Sequence, residues 1–122
     1  VYKTTKKDFA EFKKECWCWI EYFGLKAWEW DIRHEDPEME NARASYNLSF
    51  QPRYVCVRLN KSFLVIPDKN EIKACAFHEI CHILLSGLSE MAGITFREAK
   101  VETEEHKIIQ IFENTIFKEK RA

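Results

Sequence analysis

His78-Glu79-Ile80-Cys81-His82 lies inside an otherwise apolar run, and that placement constrains the chain more than any other feature. Between residues 74 and 88 the only polar side chains are His78, Glu79, His82 and Ser86. Such a run predicts a helix buried on most sides. A helix advances about 100° per residue, so His78 and His82 point within roughly 40° of each other, one turn apart. Both imidazoles can then reach one metal ion. Glu79 falls beside the open coordination position, where it can act as general base toward a metal-activated water. The competing reading is a pair of satisfied core histidines. It leaves Glu79 buried without a partner, at a cost on the order of several kcal/mol. A metal ion would engage all three side chains.

The rest of the chain sets the frame for that helix. Its 122 residues, 46 % apolar and 14 % aromatic, suffice for one domain with a real core, so a single domain over residues 1–122 is expected. Net charge is −1, with no basic excess, so nucleic acid is not the expected partner. Lys3, Lys6, Lys7, Lys13 and Lys14 read as a solvated helix face. No stretch approaches the roughly 18 apolar residues of a membrane span, so no membrane partner is expected. The first residues are polar, with no cleavage site after an apolar run. With no export signal, the odd set Cys16, Cys18, Cys56, Cys75 and Cys81 points to reduced thiols and a cytoplasmic location. Cys75, three residues before His78, reads as a small core residue. The Asn47-Leu48-Ser49 sequon carries no meaning without secretion.

Periodicity predicts an α+β arrangement. Phe9, Phe12, Cys16, Trp19 and Phe23 recur at helical spacing, giving a helix over 8–23 with Gly24 as its C-terminal cap. Residues 28–33 alternate apolar and charged, as a strand with one wet face does. A turn is expected over 36–41. Residues 42–48 and 54–59 read as a hairpin around Gln51-Pro52-Arg53, and 63–66 as a fourth strand or core-facing coil. Asp68 with Glu71 resembles a capping box for the motif helix, which should end near Ser86-Gly87. Thr95 with Glu98 is a second candidate cap, before a last helix over 97–118. The expected sheet is small, mostly antiparallel and of three to four strands.

Two histidines leave a catalytic zinc site short of its usual third protein ligand. Leu85 and Leu88 stand where the metzincin pattern needs glycine and histidine, so that arrangement is excluded. Downstream carboxylates are plentiful: Glu98, Glu102, Glu104, Glu105 and Glu113. The HExxH, with Glu105-His106-Lys107-Ile108-Ile109-Gln110-Ile111-Phe112-Glu113-Asn114 after it, resembles the gluzincin metallopeptidases, in particular small phage- and prophage-encoded ones. The resemblance covers roughly residues 63–117. It implies a minimal zincin-like core and a Zn2+ ion held by two histidines and a glutamate from a second helix.

Helical phase favours Glu105, which extends the stripe of Ile109, Phe112 and Ile116; Glu102, Glu104 and His106 remain alternatives. The expected activity is zinc-dependent hydrolysis of a peptide or protein substrate, with Glu79 as base. Tyr46, Tyr54, Arg58 and Arg97 are candidate partners for the oxyanion, and residues 54–59 are the candidate edge strand for an extended substrate. The alternative is a non-catalytic binding protein with structural zinc. An intact Glu79 favours catalysis, because a purely structural site has no use for a base. Substrate specificity and oligomeric state are not written in the sequence.

Overall fold

Thr5 and Gly24 bracket the first helix. In this computed structural model, which describes residues 1–36 and 42–121, α1 (Lys6–Tyr22) opens on a reciprocal capping box. Thr5 Oγ1 accepts from Asp8 N (3.1 Å), and Asp8 Oδ2 accepts from Thr5 N (2.8 Å). Gly24 supplies the left-handed φ of 71° that lets the chain turn away after the helix. The turn expected over 36–41 falls, from 37 to 41, outside the described residues.

The strands form two small sheets. β1 (Tyr2–Lys3) pairs antiparallel with β5 (Ser62–Phe63). The larger sheet has the order β2 (Glu29–His34), β4 (Arg53–Leu59), β3 (Ala44–Phe50). β3 and β4 make the expected hairpin, but β2 runs parallel to β4. One three- to four-stranded sheet is thus replaced by two. The reading of 54–59 as an edge strand is overturned: β4 is central, and β3 forms the edge beside the motif helix. β4 is central because Val55, Val57 and Leu59 are fully buried, which requires cover on both sides.

In register with them, Trp30 and Ile32 of β2 and Tyr46 and Leu48 of β3 pack on the same core. The opposite face is the wet one. There Tyr54 donates to Asp31 (2.8 Å) and Arg58 Nε to Glu35 (2.7 Å).

α2 (Lys69–Gly93) carries the motif. Asp68 caps it by accepting from Glu71 N (2.8 Å), while the Glu71 carboxylate pairs with Arg43 instead of closing the box. The helix runs past the expected stop at Gly87, because Leu88, Glu90, Met91 and Ala92 are good helix formers and one glycine costs only about 1 kcal/mol. α3 (Glu98–Phe112) starts at Arg97 without a side-chain cap, so Thr95 is not its cap. It continues through a π-helical turn (Glu113–Phe117) into α4 (Lys118–Arg121). Among the described residues no helix is long and apolar enough to cross a membrane, and all five cysteines are free thiols.

α1 and α2 pack through aromatic rings. Phe77 meets Trp19 edge-on (4.6 Å between centroids) and Phe117 at 5.1 Å, and all of its surface is buried. Phe77→Ala is therefore expected to cost about 3–5 kcal/mol, read as a lower urea midpoint at unchanged slope. A loss below about 1 kcal/mol would show that this ring cluster does not hold the helices together.

Candidate metal centre

α2 presents His78 and His82 toward α3, with their Nε2 atoms 3.2 Å apart. The far side of each ring meets a carboxylate. His82 Nδ1–H donates to Glu105 Oε1, and Ser89 Oγ donates to Glu105 Oε2. This contact is sheltered, the two side chains being 8 % and 10 % exposed. His78 Nδ1 faces Glu113 Oε2 at 3.5 Å, closer to the surface.

These partners fix the chemistry of the inner atoms. A carboxylate against Nδ1 favours the ring proton there, which would leave Nε2 with a lone pair. With both rings in that tautomer, two lone pairs meet at 3.2 Å. They repel unless a cation, a metal ion or a shared proton, offsets them.

A third imidazole completes the group. His106, on the exposed face of α3, stacks on His78 (centroids 5.6 Å apart) and stands edge-on to His82 (5.0 Å). The ligand nitrogens of His78, His82 and His106 all lie within 4.8 Å of one another, and among the described residues they are the one cluster close enough to share a metal ion.

The sequence candidates sort accordingly. Glu105 reaches the site, but its oxygens are engaged by His82 Nδ1 and Ser89, on the far side of the ring from the gathered nitrogens. Glu102 is exposed on the cleft wall. Glu104 is exposed and pairs with Lys107 at 3.0 Å. Glu113 was named among the downstream carboxylates but not singled out by helical phase. Its signal was its position seven residues after His106, two turns on along the same face.

Glu79 is 7 % exposed, and among the described residues its Oε2 has no hydrogen-bond partner. Burial pushes its carboxyl up to about 7, with nearby His78 pulling the other way. Burial lowers the pKa of His82 against the opposing pull of Glu105, while Glu113 raises that of His78. Burial also holds the Cys75 thiol up at about 12, so it stays protonated, as a small core residue does.

Two cavities flank the histidines along β3. A cleft of roughly 780 Å3 lies on the His82 side and reaches from Tyr46 to Phe50. A smaller one of roughly 340 Å3 lies on the His78 side and is lined by Ala44, Cys75 and Glu79. Tyr46 stacks on His82 (5.0 Å, 26°), and burial raises its phenol to about 12. Of the other candidate oxyanion partners, Tyr54 is spent on Asp31, Arg58 on Glu35 and Asn47, and Arg97 lies outside the cleft lining. No family profile, curated protein or solved structure matches this chain, so the reading of the site rests on its own geometry.

Proposed function

We propose that the chain is a zinc-dependent hydrolase, a small metallopeptidase with a zincin-like core. The observation that carries the reading is the facing pair of Nε2 atoms, each ring backed by a carboxylate. Ligands on tetrahedral zinc at about 2.0–2.1 Å lie about 3.4 Å apart, close to the 3.2 Å between His78 and His82. Three neutral imidazoles are a donor set that zinc accepts with one position left for water or substrate. His106 is the third ligand in this reading. Glu105 becomes the carboxylate that orients His82, steadied by Ser89.

Zinc, when bound, supplies Lewis-acid polarisation of a scissile carbonyl and a lowered pKa for water. Glu79 takes the proton of the attacking water and returns it to the leaving amine. Its unpartnered Oε2 supports that role, because no other group among the described residues occupies it. Tyr46, protonated and stacked on His82, donates to the oxyanion from the cleft wall. The edge of β3 offers main-chain groups to an extended substrate.

A zinc-loaded sample incubated with a peptide library tests the reading. Cleavage is expected, abolished by chelation and restored by zinc. Glu90, Glu98 and Glu102 line the cleft, and no Lys or Arg does, so peptides rich in Lys and Arg should be cut faster than acidic ones. Equal rates for the two would remove the charge argument. A library left intact by the loaded protein would leave a metal-binding scaffold without turnover.

A further inference from the structure

We infer that Glu113, presented by the π-helical turn that it opens, is the positioning residue for His78, fixing which of that ring's nitrogens is free to bind a metal ion. The inference rests on the metal reading above and adds a residue and a structural device to it.

The two motif histidines are served differently. His82 is backed by Glu105, which is in turn held by Ser89. Among the described residues His78 has one carboxylate at its Nδ1, that of Glu113 at 3.5 Å. A ring whose Nδ1 has no acceptor is free to flip or to change tautomer, and either change turns a proton toward the metal position. A carboxylate at Nδ1 prevents both and raises the basicity of the opposite nitrogen.

The backbone supplies the second observation. The stretch from Glu98 to Arg121 is α-helical except between Glu113 and Phe117, where it widens into a π turn. Such turns are rare inside α-helices and are frequently found at functional sites. The turn lies between two contacts to adjacent residues of α2: Phe117 meets Phe77 (5.1 Å) in the core, and Glu113 faces His78 at the core's margin. Residues four apart in an α-helix diverge by about 40°, and a π turn, which rotates less per residue, shifts the phase of Glu113 against Phe117.

The test uses zinc as the probe, with the dissociation constant measured by competition against a chromophoric chelator for Glu113→Ala and Glu113→Gln. Glu113→Ala is expected to weaken zinc binding about ten- to a hundredfold. Glu113→Gln keeps an acceptor without the charge and should fall between Glu113→Ala and the parent. Nitrogen-15 spectra of the zinc-free protein give an independent readout. His78 should be the Nδ1–H tautomer in the parent and shift toward Nε2–H in Glu113→Ala. An unchanged zinc affinity in Glu113→Ala overturns the inference. So does a weakened affinity that comes with a lower melting temperature of the zinc-free protein and an unchanged tautomer, since that marks a merely structural role. A parent protein that binds no zinc defeats the metal reading itself, and the tautomer measurement then still decides the role of Glu113.

Discussion

Replacing either His78 or His82 with alanine is expected to strip the protein of zinc, from about one ion per chain to near none by elemental analysis. Each substitution removes a nitrogen from a cluster of three and leaves its carboxylate partner without the ring it orients. Stability should follow occupancy. His78 and His82 sit on α2 and His106 on α3, so a shared ion ties the two helices together. A ligand bound only by the folded state stabilises it by about 2.7 kcal/mol at a hundred times its dissociation constant. Chelation should therefore lower the melting temperature of the parent and leave His82→Ala unmoved.

The same titrations rank the third ligand. His106→Ala should lose more affinity than Glu105→Ala, for which about ten- to a hundredfold is expected if Glu105 orients His82. The opposite ranking would restore Glu105 to the ion and make His106 a neighbour. Full zinc occupancy in His82→Ala would falsify the centre as described.

What the sequence revealed and what it hid follow from the range of the interactions. The pairing of His78 with His82 is a local matter of helical spacing, and the cap at Asp68 and the left-handed Gly24 are local too; all of these were legible. The parallel register of β2 on β4 joins segments more than twenty residues apart, and no short pattern encodes it. Gly87 misled because a lone glycine followed by helix-forming residues costs only about 1 kcal/mol, which the neighbouring helix offsets.

Phase analysis placed Glu105 on the face of α3 that meets α2, and the structure puts it there. The buried stripe selects residues that pack, and Glu105 does pack, against His82 Nδ1 and Ser89. The gathered nitrogens lie at the margin of that stripe, where an exposed imidazole one residue further on, His106, completes the cluster. A rule that seeks the most buried polar residue favours Glu105 over His106, and the affinity ranking above decides which of them meets a metal ion.

Glu79→Gln is expected to retain zinc and fold while hydrolysis falls by about a hundredfold to ten-thousandfold. Zinc should stay because Glu79 is not among the gathered nitrogen donors. Fold should stay because the two side chains have nearly the same shape, and the carboxylate gives up little. Its Oε2 has no partner, and burial already pushes the group toward its neutral form. An amide in that place carries no charge to desolvate, so the variant should melt at or above the temperature of the parent.

Activity alone should collapse, because an amide cannot take a proton from the attacking water. The separation of these readouts gives the experiment its force. A general catalytic defect through misfolding would lower the melting temperature and the zinc content together, whereas loss of the base lowers neither. If Glu79→Gln hydrolyses the same peptide at the parent rate, the proton goes elsewhere, and the buried, unpaired oxygen of Glu79 needs another explanation.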